Sequence, residues 1–299
     1  MSAHSLLAPG AELELLADGS VWAEGPVWLP QRRRVRWSDI PNNRILEWDA
    51  VSGQTSVYDR AAEYANGRTL DRDGHVVQCS HGRRRVEREI DGELHCVVDR
   101  WAGGRFNSPN DVAVSRDGSI WFTDPPYGIL PETREGYPAA SEYGGCYVFR
   151  FDEAGGATPV ITDMVHPNGL AFSPDQQWLY IADTGAGMGL TAFNGIRRYP
   201  VRDGACGAGE DFVQVYPDQP DGFRIDVEGR IWTSSGDSVQ VFSDAGEQLL
   251  RVPTGARVSN LCFGGDSGTD LFLTVTDRVY RLRTTTTDAA FAQPGPCSA

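Results

Sequence analysis

Residues 108–124 read SPNDVAVSRDGSIWFTD, and this stretch decides the fold. It holds a polar pair, a short apolar run, an Asp-Gly turn and a second apolar run that ends in a carboxylate. The same phrase returns as PNGLAFSPDQQWLYIAD at 167–183 and as PDGFRIDVEGRIWTSS at 220–235. Looser copies begin at Glu24, Asn66 and Asn260. The chain therefore carries six copies of one unit.

The spacing of the copies selects the architecture. Their leading polar residues lie at positions 24, 66, 110, 168, 221 and 260, so the repeat is roughly forty to sixty residues long. Helix-pair solenoids have similar periods, but they need apolar residues at i, i+3 and i+4. These segments alternate instead, and they are bounded by turn residues. The pattern predicts an all-β fold, a six-bladed β-propeller with one four-stranded blade per repeat.

The ends of the repeat region predict how the ring closes. Residues 11–17 alternate as a strand before the first repeat, and the last repeat ends near Leu282. An open ring would leave an unpaired strand edge. We therefore predict that the N-terminal strand joins the last blade. Since the repeats fill most of the 299 residues, we expect a single domain over 1–299.

Composition excludes several classes of partner. The formal net charge of −14 argues against nucleic acid, which needs a basic surface. No stretch reaches the length of a membrane span, and no secretory signal is apparent. The six cysteines form no Cys-x-x-Cys pair, which argues against structural zinc and fits a reducing cytoplasm. We expect a cytoplasmic protein, monomeric or homodimeric, that acts on a small molecule.

The repeat predicts two rings of side chains around the central channel, because equivalent residues of the six blades lie at the same height. Strands one and two of a blade are antiparallel, so the start of the first and the end of the second lie at one mouth of the channel. The first ring is Glu24, Asn66, Asn110, Asn168, Asp221 and Asn260. The second ring is Asp39, Ser80, Asp124, Asp183, Ser235 and Thr276, which would either steady the first ring or cap turns.

The first ring carries only oxygen-bearing side chains. Oxygen ligands suit a hard divalent cation. We expect Ca²⁺ first, then Mg²⁺ or Mn²⁺, and Fe²⁺ or Zn²⁺ are further candidates. The simpler interpretation is that Asn and Asp before Gly only make turns. Against it, Glu24 is not a turn residue, and two converging carboxylates, Glu24 and Asp221, repel each other unless a cation lies between them.

Several motifs together resemble the gluconolactonase, regucalcin and senescence-marker family. They are EGPVW at 24–28, RFNSPND at 105–111, FTDPPYG at 122–128, PNGL at 167–170 and PDG at 220–222. The resemblance implies a six-bladed propeller that hydrolyses sugar lactones such as gluconolactone with one divalent metal. It implies Glu24, Asn168 and Asp221 as metal ligands, with Asp221 also the catalytic base, and Asn110 and Arg105 as substrate contacts.

Other features of the mouth bear on the same function. His81 follows Ser80 at the mouth and is a further candidate substrate contact. The long connection at 125–144 lies on this face and carries tyrosines that would wall a pocket or pack the loop; long loops are usually functional or disordered. A metal-dependent esterase or phosphotriesterase, and a non-catalytic metal-binding propeller, remain the alternatives.

Overall fold

The computed structural model describes residues 6–291, and nearly all of their regular structure is β-strand. In chain order the strands are β1 Glu14–Ala17, β2 Ala23–Leu29, β3 Arg34–Asp39, β4 Arg44–Asp49, β5 Thr55–Asp59, β6 Ala65–Leu70, β7 Val76–Ser80, β8 Arg85–Ile90, β9 Glu93–Val98, β10 Arg100–Trp101, β11 Gly104–Arg105, β12 Val112–Val114, β13 Ile120–Asp124, β14 Tyr147–Asp152, β15 Gly156–Ile161, β16 Pro167–Phe172, β17 Trp178–Asp183, β18 Gly195–Arg202, β19 Ala205–Cys206, β20 Glu210–Gln214, β21 Phe223–Ile225, β22 Ile231–Ser235, β23 Ser238–Phe242, β24 Gln248–Pro253, β25 Val258–Gly264, β26 Asp270–Val275 and β27 Arg278–Arg283. Short 3-10 turns occur at Tyr127–Ile129, Gly185–Met188 and Ala289–Phe291.

The strands form six blades, as the repeats predicted. The blades are β2–β5, β6–β9, β12–β15, β16–β17–β18–β20, β21–β24 and β25–β26–β27–β1. The first strands touch in sequence around the ring, and the circle is completed by contacts between β25 and β2. Strands β10 and β11 make a small separate hairpin, and β19 adds to β18.

The predicted ring closure is confirmed. Strand β1 pairs antiparallel with β27, with Glu14 opposite Arg281. The two side chains also form an ion pair, at 2.7 Å. Since β1 supplies the outer strand of the sixth blade, the two ends of the repeat region are joined within one sheet.

Turns and core explain why each repeat folds as a blade. Gly118 closes the turn between β12 and β13 with φ of +88°, a conformation that favours glycine. Behind the turns, Trp37, Trp121 and Trp232 lie in the second strand of three blades and are almost completely buried. A buried aromatic side chain removes 150–250 Å² from water, typically, which makes these residues large contributors to blade packing.

The register brings both predicted rings to one face. Ala23 is opposite Asp39 in the first blade, and Pro167 is opposite Asp183 in the fourth. At the other face Asp288 bridges to Asp226, and residues 288–290 line a cavity of about 60 Å³ at that end of the channel. Among residues 6–291, no helix is long and apolar enough to cross a membrane.

Candidate active site

A cavity of about 170 Å³ lies at the mouth where the two rings meet. Five of the six residues of the first ring line it: Glu24, Asn66, Asn110, Asn168 and Asp221. The sixth, Asn260, lies beside it and donates a hydrogen bond to Glu24 at 3.0 Å. The repeat therefore gathers the first ring around one enclosed space.

Glu24 reaches the cavity because β2 is bulged. The register between β2 and β3 shifts between Glu24 and Val27, and Gly25 has a φ of +54°. A Cβ on Gly25 would lie 2.1 Å from the backbone oxygen of Asn66, so a larger residue would push blades one and two apart. The Glu24 carboxylate is held by the Gly25 amide and by Asn260.

The amides of the first ring form a chain of hydrogen bonds. Asn66 donates from Nδ2 to Oδ1 of Asn110 at 2.7 Å, and Asn110 donates to Oδ1 of Asn168 at 2.6 Å. The Asn168 side chain in turn hydrogen-bonds Asp221. Each amide is thereby oriented by its neighbour, and the donors point toward the acidic end of the chain.

The second ring holds the backbone segments that lead into the first ring. Three of its carboxylates accept hydrogen bonds from backbone amides two and three residues before a first-ring residue. The pairs are Asp39 with Val21 and Trp22, Asp124 with Asn107 and Ser108, and Asp183 with Val165 and His166. Ser80 and Thr276 instead donate to the backbone oxygens of Glu63 and Arg257. The three carboxylates of this ring therefore fix the backbone positions of Glu24, Asn110 and Asn168.

Three carboxyl groups meet at the cavity, and burial dominates their electrostatics. Burial raises the pKa of Glu24 well above its usual range, and the charges of Asp221 and Asp111 raise it further. Burial likewise raises the pKa of Asp221 to about 7, against an opposing effect of Arg257. Glu135 also has a pKa of about 7, because it is buried beside Glu24. The ionised forms of all three are therefore poorly stabilised by the protein alone.

His81 lies at the edge of this network. Its Nε2 is 3.1 Å from Oδ1 of Asn110 and 3.2 Å from Nδ2 of Asn66, and its Nδ1 is 3.0 Å from the backbone oxygen of Glu135. Burial lowers the pKa of His81 to about 4, so the ring is neutral at physiological pH. Its contacts join Asn110 to the long loop of the third blade.

Two predicted substrate contacts do not line the cavity. One is His81, whose side chain is completely buried. The other is Arg105. It is exposed, its guanidinium donates to the backbone oxygen of Arg83, and its own amide donates to Glu142. The cationic group that does line the cavity is Arg257, which also pairs with Asp218 at 3.1 Å.

The two long connections contribute side chains that sequence reasoning did not single out. Glu135 comes from the loop at 125–146, Thr184 and Met188 come from the loop at 184–194, and all three line the cavity. Tyr127, from the first loop, hydrogen-bonds Thr184 across the mouth. Tyr127, one of the loop tyrosines expected to wall a pocket or pack the loop, also lines the cavity. For Glu135, Thr184 and Met188 the sequence signal was only the length of these loops.

The donor set fits a hard cation. Glu24, Asn168 and Asp221 line the cavity, and each has a side-chain oxygen that could bind a cation. The charge of Asp221 also makes ionisation of Glu24 less favourable. A divalent cation would offset that repulsion. A second group with close ligand atoms, Asp71, Asp73 and His75, lies in the turn between β6 and β7 and is not part of the cavity.

Comparison with known proteins agrees with this geometry. Residues 22–277 match the model of the SMP-30/Gluconolactonase/LRE-like region. The chain belongs to this family. The family prediction made from the motifs is thereby confirmed.

Individual relatives give the same result. A gluconolactonase from Zymomonas mobilis is 30% identical over 308 residues, which cover 94% of this chain and 84% of that protein. A pentonolactonase from Haloferax volcanii is 32% identical over 260 residues, covering 84% of this chain and 80% of that protein. The structure of a gluconolactonase from Xanthomonas campestris superposes with a TM-score of 0.86 at 38% identity, covering 94% and 91% of the two chains. The prediction of an enzyme of the lactonase class is confirmed by these relatives.

Proposed function

We propose that the protein is a metal-dependent hydrolase that opens sugar lactones, such as gluconolactone, to the aldonic acid. The observation that carries the proposal is the convergence of Glu24, Asn168 and Asp221 on one cavity at the channel mouth. The gluconolactonase and pentonolactonase relatives favour a lactone over other esters or phosphotriesters.

One divalent cation would be held by Glu24, Asn168 and Asp221. Ca²⁺ fits these ligands best, because it takes carboxylate and amide oxygens in flexible geometry. When bound, such a cation polarises a carbonyl group and stabilises negative charge that develops on its oxygen. Asn110 and Asn260 orient two of the ligands, Asn168 and Glu24, through hydrogen bonds.

Asp221 is the residue that we propose to handle the proton of the attacking water. Burial gives it a pKa of about 7, and a carboxyl group that titrates near neutrality is suited to general base catalysis. A bound cation would oppose that rise and weaken Asp221 as a base, but it would also make a bound water more acidic, so Asp221 would orient the water and accept a proton that is released more readily. The water oxygen bonds to the carbonyl carbon, the ring C–O bond breaks, and the proton passes to the departing oxygen.

Asn110 is proposed to bind substrate. It is held between Asn66 and Asn168, and it lines the cavity beside both. A sugar hydroxyl can take the place of one of these hydrogen bonds, because an amide offers both donors and an acceptor. His81 would hold Asn110 in a fixed position relative to the loop at 125–146, which we call the lid, rather than touch the reacting atoms.

A panel of lactones, simple esters and a phosphotriester, followed with a pH indicator, tests the proposal. We expect turnover of sugar lactones that a chelator abolishes and that added divalent cation restores. The Glu24→Gln variant should stay inactive when cation is added back. Turnover of simple esters as fast as that of sugar lactones would show that the enzyme is not specific for lactones. Full activity in chelator would contradict the metal requirement.

A further inference from the structure

Glu135 is a third cavity carboxylate that the proposed reaction does not use. We propose that it makes the site selective for uncharged lactones over anionic ligands, including the aldonate product. This inference rests on the proposed function, since it names which ligands the same site accepts.

The lid that carries Glu135 is held firmly. The backbone oxygen of Glu135 accepts a hydrogen bond from Nδ1 of His81, and the hydroxyl of Thr133 donates to the backbone oxygen of Tyr127 at 2.5 Å. A Cβ on the neighbouring Gly136 would lie 2.2 Å from the backbone oxygen of Gly128, so the lid packs closely on itself. The Glu135 side chain, 24% exposed, lines the cavity from this fixed backbone.

The charges at the cation-loaded cavity balance until Glu135 is counted. A divalent cation neutralises the two carboxylates of Glu24 and Asp221. Among the described residues that line the cavity, Arg257 is the one cationic side chain, and it is paired with Asp218. Glu135 is within electrostatic reach of both Glu24 and Asp221. Its carboxylate lies 3.8 Å from Nδ1 of His81, but burial lowers the pKa of that imidazole to about 4, so His81 is neutral and leaves the charge of Glu135 uncompensated. The loaded site therefore keeps a surplus negative charge.

That charge acts on whatever enters. In a cavity of about 170 Å³ no part of a ligand can lie far from Glu135. Charges repel more strongly in a partly desolvated site than in water. A neutral lactone is unaffected, whereas its hydrolysis creates a carboxylate beside Glu135. Glu135 thus disfavours both retention of the product and entry of lactones that bear an acidic substituent.

The matched control is on the same lid. Glu132 lies three residues before Glu135 and is exposed, so Glu132→Gln removes the same charge from the same loop outside the cavity. Glu135→Gln keeps the size of the side chain and one acceptor oxygen, and it removes the charge by replacing the other oxygen with an amide NH2. A comparison of the two variants separates a local effect in the cavity from a change in net charge.

Calorimetric binding to the Ca²⁺-loaded enzyme at pH 8 tests the inference with two stable ligands. Gluconolactam is a neutral analogue that is not hydrolysed, and gluconate is the anionic product. We expect Glu135→Gln to bind gluconate at least about tenfold more tightly, with gluconolactam changed by less than about threefold. Glu132→Gln should match the wild type for both ligands, and the inhibition constant of gluconate in turnover should follow its Kd.

Several outcomes overturn the inference. If Glu135→Gln still turns over lactones but leaves the ratio of the gluconate and gluconolactam dissociation constants unchanged, the inference is wrong. It is also wrong if Glu132→Gln changes that ratio as much as Glu135→Gln does. A large loss of Ca²⁺ affinity in Glu135→Gln would make this residue a ligand instead. A wild-type enzyme that binds neither compound and hydrolyses no lactone would contradict the proposed function itself.

Discussion

Asn110 donates a hydrogen bond from Nδ2 to Oδ1 of Asn168 over 2.6 Å. The bond joins the residue proposed to bind substrate to a residue proposed to bind the cation. An amide oxygen has two lone pairs, so Asn168 can accept this bond and still offer an oxygen to a metal. Substrate binding and cation binding are therefore linked through one side-chain pair.

Asn110→Ala tests that link. Removal of the amide deletes a proposed substrate contact and leaves Asn168 without its orienting donor. We expect KM to rise about tenfold, because one buried hydrogen bond contributes roughly 1–3 kcal/mol when a partner is left unpaired. Cation affinity should fall by a smaller factor, and kcat should change least. Gln54→Ala, which removes an exposed amide away from the cavity, serves as the control. A fall in kcat alone would contradict the assignment.

Glu24→Gln should affect stability in opposite directions with and without cation. Burial and Asp221 raise the pKa of Glu24, so its ionised form destabilises the metal-free fold as pH rises. In chelator at pH 8, the amide variant should be more stable than wild type by about 1 kcal/mol or more. The difference should shrink as the pH falls below the unfolded-state pKa of about 4.3, because the wild-type carboxyl is then protonated in both states.

The same variant should lose the stabilisation that cation confers. A ligand that binds only the folded state raises stability by mass action, so Ca²⁺ should raise the Tm of wild type but not of Glu24→Gln. Thermal unfolding in chelator and in excess Ca²⁺ measures both effects. Retained Ca²⁺ stabilisation in the variant would show that Glu24 is not a ligand.

His81 should make stability depend on pH in acid. Burial lowers its pKa to about 4, so between pH 6.5 and pH 4 the unfolded chain binds a proton that the folded chain does not. Stability from this group is present above pH 6.5 and is lost as pH falls toward 4, by about 3 kcal/mol. Glu135 and Asp221, with raised pKa values, act in the opposite direction.

The contribution of His81 is therefore isolated by difference. Urea unfolding of wild type and His81→Gln, both in chelator, should give stability curves that converge as the pH falls from 6.5 to 4. Parallel curves over that range would mean that the His81 pKa is not lowered in the folded state.

The lid should control which lactones fit. Replacing residues 129–140 by a short turn removes Glu135 but keeps Tyr143, whose hydroxyl binds Asp124. We expect the ratio of kcat/KM for five- and six-membered sugar lactones to change several-fold, since binding loops on rigid scaffolds carry specificity. Circular dichroism and Tm should stay close to wild type. An unchanged ratio would assign specificity to the ring residues alone.

The fold and the first ring could be predicted from sequence because both are encoded locally and repeated. The Asp-Gly turn at 117–118 and the strands beside it place Asn110 and Asp124 at one end of the channel, and each repeat does the same. Glu135 could not be found this way. It lies in a loop without periodicity, and its position depends on the distant contact with His81.

Arg105 shows the opposite failure of the same reasoning. The motif resemblance predicts a cation beside Asn110, yet four residues separate Arg105 from Asn110, and the Arg105 guanidinium donates to the backbone oxygen of Arg83 instead. Arg257 reaches the cavity from the segment before β25. Nothing in its local sequence marks it, because only closure of the ring brings blade six beside blade one.

Asp221→Asn separates the two proposed roles of Asp221. The amide keeps one oxygen for the cation, so part of the cation affinity should survive and saturating Ca²⁺ should restore occupancy. The amide cannot accept the water's proton, and positioned acid–base groups contribute about 10²–10⁴-fold. We therefore expect kcat to stay at least about a hundredfold below wild type at saturating Ca²⁺. The measurement is kcat over a Ca²⁺ titration, with bound metal determined on the same samples. Recovery to within a few-fold of wild type would mean that Asp221 is a ligand alone. Glu135, the cavity carboxylate that is not a proposed metal ligand, would then be the first alternative to examine as base.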